Sequence, residues 1–308
     1  MPKVANEQYI TDINQREGWD FEVVQKRFPN PEEFGGGNSP MVGHYRTDNG
    51  AFVGAASEQY GLVQNRTLLD RAEEAFAKRG ITPSDRHICI SEGGKRMKAV
   101  YDFKNEVINL PSVGEELGFR LMVTNSFDRS LRVRFVLGAL RLICTNGMVG
   151  EGAAAFDLLK KHSQQTAKNI ENLLTVDALD KSLDAFHKSG QVWDKLGRMP
   201  ITQEQGLVIL QNLTGSGKAI PSERIRNGVA TVWGNPRHVE DETRNVWNLY
   251  NAATQHITHD IAPKRFEFAD EVGRSVHRAF TKIATGEAAI LAKLLKAPKL
   301  PAVVVQNN

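Results

Sequence analysis

"VTNSFDRSLRVRFVLGALRLICTNGMV", residues 123–149, decides how this chain is read. Its apolar residues run like those of a buried strand, yet it carries Arg132, Arg134 and Arg141. A strand buried on both faces has no place for guanidinium groups, so something must lie against them. Successive side chains of a strand point to opposite faces. In the arm before the turn, Leu117, Phe119, Leu121 and Val123 share one face, and Arg120, Met122 and Thr124 share the other. In the returning arm, Leu131, Val133, Phe135 and Leu137 oppose Arg132, Arg134 and Val136. A turn near Phe127-Asp128-Arg129 sets Arg132 beside Thr124 and Arg134 beside Met122. The hairpin therefore predicts one apolar face and one basic face.

The preceding segment repeats the pattern. In "RHICISEGGKRMKAVYDF" a hairpin turns at Glu92-Gly93-Gly94, and Met97, Ala99, Tyr101 and Phe103 alternate with Arg96, Lys98 and Lys104. Residues 86–146 hold ten Lys and Arg against six Asp and Glu, a larger local excess than the net charge of +3 for the whole chain. Two readings of this face stand side by side. Antiparallel sheets commonly carry charged side chains on a solvated face. Rows of Arg and Lys are also what a phosphate backbone requires. Single-strand binders add aromatic rings for base stacking, but Tyr101, Phe103, Phe119 and Phe135 all fall on the apolar face.

Upstream, "MVGHYRTDNGAFVGAAS" reads as a hairpin about Asp48-Asn49-Gly50, with Asn-Gly favouring a type I′ turn. The period then changes to 3.6: Leu68, Leu69, Ala72, Ala75 and Phe76 form one helix face, with Asn65 as N-cap and Gly80 as the stop. The first forty residues, ending in "FPNPEEFGGGNSP", read as an extension and linker. After Gly150 the spacing is helical: Val176, Leu179, Leu183, Phe186, Trp193 and Leu196, then Val246, Leu249, Ala253 and Ile257, then Phe268, Val272, Val276, Phe280 and Ile283. The expected class is α+β: an antiparallel β-meander enclosing one helix, followed by a helical half. The corresponding divisions are an extension over 1–40, a sheet-and-helix core over 41–150, a helical region over 151–296 and a tail over 297–308. Segregation of strands from helices argues against a doubly wound parallel sheet.

Composition bounds the function. The chain has 308 residues, of which 41% are hydrophobic, and a pI near 8.8. That is enough for a sizeable core and compatible with a polyanionic partner. Cys89 and Cys144 sit in apolar strand-like runs and read as buried thiols of a reducing compartment. The first twenty residues have no apolar signal segment, and no run approaches a membrane span, so a cytoplasmic location is expected. "TGSGKA" at 214–219 has Asn212 and Ala219 where a phosphate loop needs Gly and Ser or Thr. "QHITHD" places His256 and His259 at i and i+3 beside Asp260, without a third ligand at recognisable spacing, so no metal site is expected. The corner Cys144-Thr145-Asn146 pairs with no histidine or acid in sequence. No catalytic residues and no cofactor are assigned.

With "YGLVQN" at 60–65 and "NVWNLYNAATQHITH" at 245–259, the opening segment resembles a family of phage- and plasmid-encoded proteins of unknown function. The resemblance covers roughly residues 40–260 and implies a mobile genetic element in a bacterial cytoplasm. The order of hairpin, helix, basic meander and helices is similar to single-strand-annealing recombinases of the Red-beta, Erf and Rad type. That likeness implies rings or filaments holding single strands in a basic groove. The expectation is a non-enzymatic protein that binds or anneals single-stranded DNA as a homo-oligomer. Arg96, Lys98, Arg120, Arg132 and Arg134 would contact phosphate, and the helical half would supply subunit contacts. The alternative is an interaction factor that binds a host or phage protein through the helical half. A third reading is an enzyme using the Cys144 corner or the His256/His259 pair.

Overall fold

The computed structural model describes residues 8–10, 18–29, 32, 35–142, 147–149, 157–213, 222–262 and 266–296. The strands are β1 (Gln8–Ile10), β2 (Val23–Pro29), β3 (Asn38–Arg46), β4 (Phe52–Ser57), β5 (Asp85–Ser91), β6 (Arg96–Leu110), β7 (Glu115–Ser126), β8 (Val133–Arg141), β9 (Gly147–Val149) and β10 (Asp157–Lys160). The helices are α1 (Asn65–Arg79), α2 (Gln164–Lys168), α3 (Val176–Gly197), α4 (Gln203–Asn212), α5 (Glu223–Gly234), α6 (Val246–Gln255) and α7 (Phe266–Leu294). The class is α+β, with antiparallel strands in the N-terminal half and helices in the C-terminal half. The chain forms two compact units, neither of them a single stretch of sequence. One comprises Met1–Phe103, Arg120–Val136 and Phe156–Ser182; the other comprises Lys104–Phe119, Leu137–Ala155 and Leu183–Asn308.

The main sheet runs β1-β5-β6-β7-β8-β10, with β9 paired to β8, and β2-β3-β4, all in the first unit, form a separate three-stranded sheet. Helix α1 buries Leu68, Leu69, Ala72, Ala75 and Phe76, the face that the 3.6 period predicts. Phe76 meets Tyr101 and Phe103 edge-on, each at 5.0 Å, so α1 covers the odd-numbered face of β6. Gln64, and not Asn65, is the N-cap, whereas Gly80 ends the helix at φ 76°, a left-handed conformation that a side chain would strain. Asn65 is instead buried, with its Oδ1 accepting from Asn125 Nδ2 at 2.8 Å.

Three expectations change here. The first forty residues hold β1, β2 and the start of β3, and Trp19, Phe21 and Val23 are buried. The cause is a strand-like pairing made by a side chain: Gln64 accepts from the Val23 N–H at 3.0 Å and donates to its carbonyl at 2.8 Å. The β3–β4 turn is not a two-residue type I′ turn. Arg46 N–H closes it on Ala51 O at 2.9 Å, around four residues of which only Gly50 has positive φ. After residue 150, where helix is expected, β10 pairs antiparallel with β8, with Leu159 opposite Arg134 and Lys160 opposite Val133.

In the second unit, the later turns of α3 and helices α4–α7 bury the predicted residues Leu183, Phe186, Trp193, Leu196, Val246, Leu249, Ala253 and Val272. Phe119 packs edge-on against Phe186 at 5.5 Å. Trp233 closes α5 against α4 by donating Nε1–H to Gln203 O at 3.0 Å, over a Gly206 that leaves room for its ring. Tyr250 on α6 hydrogen-bonds His277 on α7 at 2.9 Å, and its burial raises the phenol pKa.

Arg141, at the end of β8, is wholly buried. Its Nε lies 2.6 Å from Glu115 Oε2, a second contact joins Nη2 to Glu115 Oε1, and Nη1 reaches Asp241 Oδ1 at 2.8 Å. Trp247 Nε1 donates to the same Glu115 at 3.2 Å. Two carboxylates thus face one guanidinium, and burial raises the pKa of Asp241 against the pull of Arg141. Removing one partner of such a group leaves charge stranded in the interior. Arg141→Met should cost about 3–5 kcal/mol, read as a drop in the urea midpoint. An unchanged midpoint would mean that Arg141 stabilises nothing.

Candidate nucleic-acid interface

The predicted contacts Arg96, Lys98, Arg120, Arg132 and Arg134 all lie in the first unit. Alternation holds for the apolar side of the hairpin: Phe119, Leu121, Val123, Val133 and Phe135 are each at most 1% exposed. The Leu137 side chain lies outside the described residues. The opposite side is not the open face expected from its charges. Met122, Thr124 and Val136 are buried there. Arg120 points its guanidinium at Asp102, with Nη2 and Oδ2 2.7 Å apart, and the two side chains are 12% and 3% exposed. Asp102 shares the parity of Arg96 and Lys98 along β6, which is the sequence signal that Arg120 would be neutralised. Arg96 is half-buried and directs Nε to Ser130 Oγ at 2.7 Å and Asp128 Oδ2 at 3.1 Å. Lys98, opposite Cys89, and Arg134, opposite Leu159, are half-buried. Arg132 is exposed, with no side-chain partner among the described residues.

Sequence reasoning missed two lysines at this edge of the sheet, one of them on the face of Arg132. Strand β10 ends the sheet and carries Lys160 opposite Val133. Continuing that register by one residue brings Lys161 opposite Arg132. Both lysines are exposed and have no partner among the described residues. A four-residue strand has too short a period to be recognised inside a segment of helical character. Arg129, in the β7–β8 turn, is also exposed and holds φ 67°, the one positive φ of a non-glycine among the described residues. Among the described residues these cations have no carboxylate partner, so they are a part of the surface that can meet phosphate.

Other chemistry-bearing groups fall into two places. In the first unit His44, Tyr60 and His162 make a buried polar knot. His44 Nδ1 donates to Phe127 O at 2.6 Å, while its Nε2 accepts from Gln25 at 3.2 Å. Tyr60 donates its hydroxyl to Ser126 O at 2.7 Å and stacks on His162 at 4.8 Å. Asn125 Nδ2 adds a bond to Val63 O at 2.9 Å, so "YGLVQN" joins β7 to the loop before α1. Burial lowers the pKa of His44 and that of His162, the latter to about 4. In the second unit α6 continues as a π-helical turn over His256–Ile261. There His256 Nδ1 lies 2.8 Å from Asp260 Oδ2, in a groove lined by Glu223, Arg224, Asn227, Gly228 and Thr231. A histidine oriented by a carboxylate can accept a proton. Burial lowers the pKa of His259, against the pull of Asp260. Among the described residues no three His, Cys, Asp or Glu side chains converge where a metal could sit. Cys89 is buried and in no disulfide. The Cys144 corner, "TGSGKA" and the C-terminal tail lie outside the described residues. No helix among them is long and apolar enough to cross a membrane.

The family described as "Domain of unknown function (DUF932)" matches residues 53–283. The chain belongs to it. The DUF932 span contains the five predicted basic residues, Lys160, Lys161 and the Arg141 network, while β1, β2 and β3 precede it. No curated protein and no solved structure matches the chain.

The neutral histidines make stability depend on pH. A folded-state pKa below the unfolded value means the unfolded chain binds more protons, so stability is full above pH 6.5 and falls as pH drops towards about 4. For His162 the loss is on the order of 3 kcal/mol. His162→Phe, which keeps a ring against Tyr60, should flatten the pH dependence of the urea midpoint between pH 6.5 and 4. Equal slopes for the variant and the parent would reject a neutral His162.

Proposed function

We propose that this protein binds, and in doing so helps to anneal, single-stranded DNA, without catalysing a reaction, as a homo-oligomer encoded by a phage or plasmid. One observation carries the reading: Arg132 and Lys161, opposite each other where the β8–β10 register continues, stand exposed with no carboxylate partner among the described residues. Neighbouring exposed cations gain from a phosphate chain because each contact releases condensed counterions. Arg120 is withdrawn from the predicted contacts, since taking it to phosphate would strand a buried Asp102. Arg96 is tied to Asp128 and Ser130, which leaves Arg132 as the leading member of the original five. The mobile-element origin rests on the resemblance of "YGLVQN", the β7–β8 segment and "NVWNLYNAATQHITH".

Salt dependence tests the reading. For single strands, log affinity falls with log salt at a slope of about −0.7 per phosphate contact. Fluorescence anisotropy with a labelled oligonucleotide across a salt series should give a steep slope for the parent protein. Arg132→Ala with Lys161→Ala should flatten it by about 1.4 if each side chain makes one contact. Both side chains are exposed, so stability should stay within about 0.5 kcal/mol for each change. A parent that does not bind, or a double variant with an unchanged slope, would refute the interface.

A further inference from the structure

On the main sheet Tyr101, Phe103, Phe119 and Phe135 are buried on the apolar side, but the three-stranded sheet of the first unit holds rings towards solvent. In the three-stranded sheet, Lys26 pairs with Gly43, Val24 with Tyr45, and Tyr45 with Phe52. Paired residues share a face, so Phe28, Tyr45 and Phe52, one from each strand, stand on one side together with Lys26. The other side is the core side, where Val23, Val42 and His44 are buried. A β-bulge makes this possible. The register shifts between His44–Gly54 and Tyr45–Phe52, which turns Phe52 away from the core side and onto the face of Tyr45. Phe52 is consequently 49% exposed, a large apolar side chain held in solvent.

Glycine 43 sets how the rings lie. A Cβ at Gly43 would come within 2.6 Å of Tyr45 Cε2 and 2.9 Å of Phe28 Cζ, so both rings close over its bare backbone. Phe52 meets Tyr45 edge-on at 5.5 Å. The result is a strip of rings drawn from three neighbouring strands. Lys26 is exposed beside it, with no partner among the described residues.

We propose that this strip is a base-stacking platform for single-stranded nucleic acid, with Lys26 meeting the phosphate chain. The proposal rests on the nucleic-acid reading above and adds the surface that receives the bases. Every base has a π face, so stacking on rings of this kind is tolerant of sequence. A duplex keeps those faces inside and cannot use the strip. An exposed lysine set among rings fits a polyanion with flat apolar groups better than it fits an apolar partner, and Arg132 and Lys161, without carboxylate partners among the described residues, belong to the same unit.

Phe52→Ala and Phe52→Trp test this in the full chain. The four native tryptophans are all buried. The indole introduced by Phe52→Trp therefore reports on the strip, and oligothymidylate should quench its emission. Phe52→Ala should weaken single-strand binding about tenfold, leave the slope against salt unchanged, and leave binding to a duplex of equal length untouched. Parental single-strand affinity in Phe52→Ala together with an unquenched indole would overturn the platform while leaving the basic interface standing. Loss of self-association at unchanged DNA affinity, read by sedimentation, would assign the strip to a second copy of the chain and overturn it equally. A parent that binds no oligonucleotide would remove both readings.

Discussion

The burial of the Arg141 guanidinium constrains the second unit more than any other contact in it. A charge at zero exposure survives only if its hydrogen bonds and its counter-charge are supplied in place. Glu115 at the start of β7 supplies two of those bonds, and Asp241, in the short 3-10 turn before α6, supplies a third. Trp247 on α6 then anchors to the same Glu115. Strands β7 and β8 and the entry to α6 are thereby tied to one point. A shift of any of them would leave a carboxylate or the guanidinium unpaired in a medium of low dielectric constant. Burial raises the pKa of Asp241, while Arg141 pulls it the other way.

The first unit uses neutral hydrogen bonds for a similar purpose. Gln64 stands in for a strand against Val23, Asn125 bridges Asn65 and Val63, and Tyr60 and His44 bond the carbonyls of Ser126 and Phe127. The residues that carry the resemblance to a known family are therefore largely stitching. In "YGLVQN" even Gly61 is fixed by packing, since a Cβ there would overlap Ser163 O at 1.9 Å. Motifs of this kind identify a fold strongly and a reaction weakly.

Arginines in one sheet can therefore have three distinct fates. Arg141 is a buried structural cation, Arg120 is a half-hidden partner of Asp102, and Arg132 faces solvent. Only the last kind is available to a ligand, and it is on this kind, together with Lys161, that the proposed nucleic-acid interface rests. The aromatic half of the proposed binding chemistry sits on the small sheet. Strands β2 and β3 and Phe52 at the start of β4 lie outside the matched family span, although in the same compact unit.

Local periodicity alone determined much of this protein: the α+β class, the apolar face of α1, the buried stripes of α3, α6 and α7, the odd-numbered faces of β6 and β7, and the stop at Gly80. Each depends on residues a few positions apart, where a period of 2 or 3.6 is readable. Tertiary structure decided the partners. Arg141 meets carboxylates 26 and 100 positions away, and Arg120 meets one 18 positions away. No local period encodes such a distance, so a basic row in the sequence could not be told from a set of ion pairs. The four residues of β10 and the bulge that exposes Phe52 were hidden for the same reason. A short edge strand and a one-residue register shift acquire their meaning only from the neighbour against which they lie.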